Sequence, residues 1–587
     1  MRMCLNDDYH EVWFAGFISH GVSDEDGNPR SPLGMSALEL HTGQVIQFGR
    51  SELQEMGEAP FPVGPNALFV AYHADAALGC FIALGWSMPV NVLDVFTEFR
   101  WHTNGRHVPC GSGLTGALAY FGLGVGRTEC GLSDGERGLT GLGRSGEGNP
   151  SATVHNGADV LALARLLTVM QNRIDWPRAL LRGQYACAVA AIERNGVPID
   201  TETFFRLREN WSRIRQRLIS VIDVEFLVYD GLTFSSSKFS EYLKKNGIGW
   251  PRHQNGDLDL QDETFKAMAK VYPQIASLYS LRSCLSKMSL FKLKVGEDGR
   301  NRCSLSIFSS KTGRNQPSTS QFIFGPAVWL RSLIKPQEGY GLAFVDWCQQ
   351  EHGIAAALSS DAPMMAAYRS GDPYLAFAKQ AGAAPMWATK QSHGEIREQF
   401  KAVSLAIQYG MGAESLALRL GVSVYWARAL LEMHKKTYRR FWQWSDGILN
   451  EALVNRRLWT SYGWQLHVTD TTNDRSLRNF PIQGNGAEMM RLASIRLVAD
   501  GVRVCAPVHD AFVIEAPLAE LAEAVMHTQK VMSWASAQVL EGFELDSDFT
   551  VVRSPDRYVD DRGTKMWSVV MEQLESVAQK AAFHALV

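Results

Sequence analysis

Gly341-Leu-Ala-Phe-Val-Asp346-Trp-Cys-Gln-Gln-Glu351 reads as a short buried strand that delivers a carboxylate, Asp346, at its end. A second strand-like run, Val502 to Glu515, carries His509-Asp510 at its centre between apolar neighbours. A lone aspartate at a strand end is usually a cap or an ion-pair partner. Two of them, each interrupting an apolar run, are more informative, because a carboxylate in such surroundings needs a partner or a metal. Hard oxygen ligands of this kind suit Mg²⁺, which binds through one or two carboxylates plus substrate phosphates.

Between the two runs, Arg397-Glu-Gln-Phe-Lys401-Ala-Val-Ser-Leu405-Ala-Ile-Gln-Tyr409-Gly410 places residues 397, 401, 405 and 409 four apart. On a helix that stripe drifts by only about 40° per step. Two cations, an apolar side chain and an aromatic then share a face that could hold a triphosphate and stack a base on Leu405 and Tyr409. On spacing alone, an ordinary amphipathic helix with two solvated cations is the simpler account.

A length of 587 residues favours three or four domains of about 100 to 200 residues each. Hydrophobic residues at 46% and charged residues at 20% are near globular averages and exclude wholesale disorder. Nine cysteines without a CxxC pair argue against a zinc module, a dithiol centre or a disulfide framework and fit a reducing cytoplasm. The first residues show no targeting segment, and no window approaches the roughly 20 apolar residues of a membrane span. The net charge of −3 hides a partition: residues 1–175 hold 10 Arg, no Lys and 19 Asp or Glu, a net of −9, which leaves +6 for the rest. An acidic first third joined to a basic remainder suggests separate domains, the second with a polyanionic partner. Lineage-dependent composition explains the same numbers about as well.

The first segment alternates apolar runs (Ala67 to Tyr72, Val92 to Phe96) with turns and ends in a helical pattern, Asp159 to Met170, an α/β arrangement. Gly122 to Gly148 reads as a surface loop. From Trp176 to about Tyr229 the pattern is helical with Arg-rich faces, as for two helices that reach outward. Residues 300–345 turn β-like, and helices dominate from Gln349 to about Asn450.

Taken in chain order, Thr312-Gly-Arg314, Asp346 to Glu351, Arg397 to Gly410, Asn479-Phe-Pro-Ile-Gln483-Gly and His509-Asp510 resemble the motifs of the family A DNA polymerases. The resemblance covers roughly residues 176–587 and is greatest to the compact phage and prophage members that lack a 5′ nuclease domain. It implies an α/β multidomain fold: a ribonuclease H-like 3′-5′ exonuclease-type domain (1–175), then a right-hand polymerase with thumb (176–305), first palm segment (306–360), fingers (361–470) and second palm segment (471–587). The implied activity is template-directed DNA synthesis from dNTPs on primer-template DNA, in the cytoplasm of a bacterial host if phage-encoded, with no membrane role. Asp346 and Asp510 match the carboxylates that hold two Mg²⁺ ions, with Mn²⁺ as an alternative ion. Arg397 and Lys401 match the cations on the incoming triphosphate. Gln350, Glu351, Leu405, Tyr409 and His509 match the nucleotide pocket, with Glu351 closing it against a 2′-hydroxyl. Arg314, Arg475, Asn479 and Gln483 match residues at the primer terminus and minor groove.

The chain also departs from the family pattern. Ala511 stands where a glutamate usually follows the last aspartate, Leu405 replaces an aromatic, and Cys348 and His352 occupy positions where Ser and an apolar residue are usual. In the N-terminal segment the expected Asp-x-Glu falls on Gly16-Phe-Ile18, and the next acidic position falls on Ala77, with Asp75 two residues away on the same face if this is a strand. Asp75, Asp94, His155 and Asp159 are what remains, too few carboxylates for a two-metal site. The expectation is a scaffold with weak or absent proofreading. Two other readings are an active exonuclease beside the polymerase and a non-catalytic DNA-binding derivative.

Overall fold

A computed structural model describes residues 9–586 except 20, 125–149, 254, 287–291, 326 and 409. The expected glycine-rich loop, Gly122 to Gly148, falls almost wholly outside the described residues.

The N-terminal body is built on β1 (Glu11–Ser19), β2 (Pro32–Glu39), β3 (Val45–Gly49), β4 (Ala67–Ala71), α1 (Ala74–Leu84), β5 (Asn91–Asp94), α2 (Val95–Thr103) and α3 (Pro150–Met170). The sheet order is β3-β2-β1-β4-β5, with β1 antiparallel to β2 and parallel to β4, and β5 parallel to β4. Alternation sorts its side chains by face. Trp13, Ala15, Phe69 and Ala71 pack on one side with Leu78 and Phe81 of α1. Val12, Phe14, Leu68 and Val70 pack on the other with Phe99 of α2 and Val160, Leu163 and Leu167 of α3.

Of the two helices expected to reach outward, α4 (Trp176–Asn195) does not. Tyr185, Ala186, Val189 and Ile192 are buried in the core shared with the N-terminal sheet. Gly183 is what permits this approach: a Cβ there would stand 1.9 Å from the Val92 carbonyl oxygen. Arg182 donates through Nε and Nη2 to both carboxylate oxygens of Glu98, at 2.7 and 2.8 Å. Both side chains are almost fully buried, so removing either partner strands a charge at a cost of about 3–5 kcal/mol. Helix α5 (Thr201–Ile222), which carries the arginines at 206, 208, 213, 215 and 217, buries Leu207, Trp211, Ile214 and Leu218 along one stripe. Beyond it, Phe226, Val228, Phe239, Leu243, Phe265 and Leu278 form a small separate core.

The remaining chain supplies β6 (Tyr340–Trp347), α6 (Gln350–Ser359), α7 (Gly394–Gln408), α8 (Val424–Thr437), α9 (Arg439–Asn455), the hairpin β7 (Arg457–Trp459) and β8 (Gln465–His467), α10 (Asp474–Ala499), β9 (Arg503–Val508), β10 (Ala511–Pro517), α11 (Leu521–Val539), β11 (Ser547–Arg553) and α12 (Asp561–Leu586). Four of the strands make an antiparallel sheet in the order β9-β10-β6-β11. Two expectations are corrected here. Residues 300–345 are not generally β-like: between residues 302 and 325 the described backbone is turn and loop, as its density of Ser, Thr, Gly, Asn and Pro favours. Val502 to Glu515 is not one strand but a hairpin, with Val508 paired to Ala511 and His509-Asp510 as the turn. His509 has φ of 58°, the left-handed backbone that tight two-residue hairpins require. Among the described residues no helix is long and apolar enough to cross a membrane.

Candidate active site

The four-stranded sheet brings the two aspartates together. Asp346 pairs across β6 and β10 with Ala511, the residue after Asp510, and the Trp347 N–H donates to the Asp510 carbonyl oxygen at 3.2 Å. On its other side Asp346 stands directly opposite Asp548 of β11. Directly opposed residues in an antiparallel pair project from the same face with Cβ atoms about 5 Å apart, so Asp548 flanks Asp346 on the side away from Ala511. Sequence reasoning misses Asp548, which lies at the start of an alternating run, Ser547-Asp-Phe-Thr-Val. Only the register of β11 against β6 discloses it.

Burial, then the charges of Asp510 and Asp548, push the Asp346 carboxyl up to about 6. Burial also raises Asp510, against the pull of His509 and Arg314. Carboxylates arranged to repel one another on an accessible sheet end are what a divalent cation would relieve, and in this respect the residues fit such an ion. Two protein carboxylates with substrate phosphates is a usual Mg²⁺ ligand set. Among the described residues, no group of three or more His, Cys, Asp or Glu side chains could hold a metal on its own. Cys348 is a neutral thiol, pushed up to about 12 by burial and by its hydrogen bond to Asp548.

Around this pair the structure assembles several of the sequence-selected residues. Arg314 Nη2 lies 3.4 Å from Glu351 Oε1. A cavity of about 440 Å³ is lined by Arg314, Gln350, His509, Tyr185 and Arg491. Arg314 is presented by a loop held from behind, where Arg491 Nη1 donates to the Gly313 carbonyl at 2.8 Å. A second cavity, about 320 Å³, lies where the segment after α7 meets α10 and is lined by Gly410, Arg475 and Asn479. Gly410 has φ of 60°, and a Cβ there would meet the Arg475 side chain at 2.7 Å. Gln483 is half-buried one turn further along α10.

Helix α7 buries Phe400, Val403, Ser404 and Ile407 and leaves Arg397, Lys401 and Leu405 partly open. Tyr409 lies outside the described residues. The two cations are not free: Arg397 Nε donates to Asp372 Oδ2 and Nη1 to Glu398 Oε1, both at 2.6 Å, and Lys401 Nζ is 3.9 Å from Glu398. Asp372 and Glu398 are partners that the helical stripe does not reveal. His352 is a core residue, buried beside Tyr438 at 6.3 Å between ring centroids, and burial holds its imidazole down to about 4. It packs α6 against the junction of α8 and α9.

The N-terminal carboxylates are differently disposed. Asp94 is 1% exposed and caps α2, accepting from the Phe96 N–H at 3.2 Å, the His73 N–H at 3.0 Å and Thr97 Oγ1 at 2.6 Å. Burial, then the charge of Asp75, pushes its carboxyl up to about 7. Asp75 is not on a strand: it lies in the first turn of α1, and its Oδ1 is buried with no hydrogen-bond partner among the described residues. Asp159 is half-buried on α3, and the His155 side chain lies outside the described residues. Gly16 and Ile18 lie on β1 paired with Ser36 and Gly34, which offers no carboxylate there.

A family profile described as DNA polymerase family A matches residues 236–550. The chain is 25% identical over 392 residues to the DNA polymerase I of Aquifex aeolicus, an overlap of 62% of this chain and 65% of that protein. It is 28% identical over 227 residues to the thermostable DNA polymerase I of Thermus aquaticus, covering 36% of this chain and 26% of that one. The chain thus spans between a quarter and two thirds of these two relatives' length. Among solved structures it is similar to the POL domain of Pol1 from M. smegmatis in complex with DNA primer-template and dNTP, with a TM-score of 0.70, 18% identity, and coverage of 94% of this chain and 97% of that one. At that identity the likeness speaks for the fold.

Proposed function

The chain belongs to DNA polymerase family A, and from that membership we propose that it extends a primer strand by template-directed nucleotidyl transfer from deoxynucleoside triphosphates. The observation that supports this most is the juxtaposition of Asp346 and Asp510 at an accessible sheet end, where Asp346 pairs with Ala511 and the Trp347 N–H donates to the Asp510 carbonyl, beside a cavity lined by Arg314, Gln350 and His509. Family A polymerases use divalent metal ions, and here Asp346 and Asp510 would hold them, two Mg²⁺ in our reading, to make the primer hydroxyl a better nucleophile and to neutralise the leaving pyrophosphate.

The chain's own residues then position and screen. Arg397 and Lys401 exchange Asp372 and Glu398 for triphosphate oxygens, trading one charge-assisted set of bonds for another. Glu351, whose carboxylate lies 3.4 Å from Arg314, would limit the sugar pocket. Arg475, Asn479 and Gln483, along one side of α10, take the duplex. Such catalysis is positioning and electrostatics without a covalent intermediate. We read residues 1–175 as an exonuclease-like scaffold, 176–305 as thumb, 306–360 and 471–587 as palm, and 361–470 as fingers. Asp94 already accepts three hydrogen bonds from its own neighbourhood, which favours a scaffold over a proofreading centre.

The test is extension of a labelled primer on a template with Mg²⁺, with and without nucleotides. Growth with nucleotides, and its loss in Asp346→Ala, is the expected result. A protein that binds primer-template yet never lengthens it would leave only the DNA-binding reading.

A further inference from the structure

The last turn of α2 is fixed to the β7–β8 hairpin by a dense set of bonds. Asn104 Nδ2 donates to the carbonyls of Lys311 at 2.6 Å and Gln465 at 2.7 Å. Trp101 Nε1 donates to Gly463 O at 2.7 Å, and the His467 N–H donates to Asn104 O at 2.9 Å. A Cβ on Gly105 would lie 2.2 Å from the His467 carbonyl, so the two backbones meet as closely as chains can. Along this seam the surface opens into a cleft of about 520 Å³, lined by Arg106 from the N-terminal body and by Arg456, Arg457, Trp459 and His467 from the hairpin side. Arg106, Arg456, Arg457 and Trp459 are exposed.

Charge is concentrated here against the trend of the N-terminal body. Arg173 adds a further cation, its Nη1 3.4 Å from His102 Nε2. Arg456 has a carboxylate partner, Asp470, at 2.7 Å, but both groups are well exposed, and such a pair is worth little. Among the described residues, neither Arg106 nor Arg457 is in an ion pair. The field is felt inside the seam: besides burial, Arg173, Arg106 and Arg457 hold the His102 imidazole down to about 4. Arginines converging from two parts of the fold around an exposed indole, with Arg106 and Arg457 in no ion pair among the described residues, match a strand's phosphates and the π-face of an unpaired base.

We propose that this cleft is a second nucleic-acid site, taking unpaired single-stranded DNA of the template, with Arg106 and Arg457 on phosphates and Trp459 stacked on a base. The proposal rests on the polymerase reading for the identity of the strand. It also gives the acidic N-terminal body a part in handling DNA that needs no metal.

The test is fluorescence anisotropy on the full chain with a blunt primer-template and with the same duplex carrying a single-stranded template extension of about 12 nucleotides. Wild type should bind the extended form more tightly. Arg106→Gln with Arg457→Gln should remove most of that gain, roughly threefold or more, and leave blunt-duplex affinity and thermal stability unchanged. The salt dependence for the extended form should fall by about 1.4, at about 0.7 for each single-strand phosphate that is no longer neutralised. Trp459→Ala should reduce the gain without changing the salt slope. Absence of a gain in wild type, or a gain and slope untouched by the arginine pair, would overturn the proposal. Should wild type neither bind nor extend primer-template, the polymerase reading fails instead, and the cleft is judged by free single-stranded DNA: binding weakened by the arginine pair supports it, and unaltered binding overturns it.

Discussion

Asp346 with Asp510 and Asp94 with Asp75 are two aspartate pairs, each with one member at the end of a sheet strand, and they have opposite fates. Asp346 stands at an exposed strand end among like charges, with Asp548 opposite it. Asp94 is sunk beneath a helix and engaged by three donors. A carboxylate becomes available to a cation when its lone pairs are left open and its neighbours repel it. It becomes structural when helix caps and hydroxyls consume those lone pairs first.

The sharpest way to break this contrast is to remove a carboxylate from each pair. Asp346→Ala and Asp510→Ala should each lower primer extension by about a thousandfold or more, equivalent to about 4 kcal/mol, with primer-template affinity retained. Activity within tenfold of wild type would remove that residue from the metal site. Next in size, Arg397→Ala and Lys401→Ala should each reduce incorporation by about 10- to 100-fold, the scale of one charge-assisted bond set of about 1.5–3 kcal/mol, while duplex binding stays constant. If duplex binding falls instead, α7 does not face the nucleotide.

A smaller effect should follow pH. The Asp346 carboxyl lies near 6, and only its ionised form can bind a cation, so extension should fall as pH drops through about 6. More divalent cation should move that midpoint downward. Asp548→Asn removes one repelling charge and should shift it the same way, and a midpoint indifferent to both would separate Asp548 from the site. The smallest effect belongs to the other pair. Asp94→Ala should destabilise the fold by about 1–3 kcal/mol through the loss of capping and hydrogen bonds and leave extension per folded molecule unchanged. Because the folded state keeps the Asp94 proton up to about pH 7 while an unfolded aspartate releases it near 4, stability should decline between those values as pH rises. Asp94→Asn should flatten that slope in denaturant melts at several pH values.

Much of this is legible in the chain. Gly341 to Asp346 announces a buried strand ending in a carboxylate, and the stripe of 397, 401 and 405 announces a helix face. Both follow from local periodicity. What stays hidden depends on the meeting of distant segments. Asp548 becomes informative only through its register with Asp346. Arg397 cannot be known to be occupied until Asp372, 25 residues earlier, is brought against it. Val502 to Glu515 reads as one apolar run because a two-residue turn of His and Asp leaves no Gly or Asn to mark it. The outward reach expected of α4 fails for a related reason: Arg182, a residue type that usually faces water, is buried against Glu98.

One gel decides which aspartate pair works on DNA. A labelled primer on its template is incubated with Mg²⁺, with and without nucleotides, using wild type, Asp346→Asn and Asp94→Asn side by side. Wild type and Asp94→Asn should lengthen the primer when nucleotides are present and leave it intact when they are withheld, while Asp346→Asn should neither lengthen nor shorten it. Primer shortening that Asp94→Asn abolishes and Asp346→Asn preserves would reverse these roles, because the buried pair would then be the one that works on DNA.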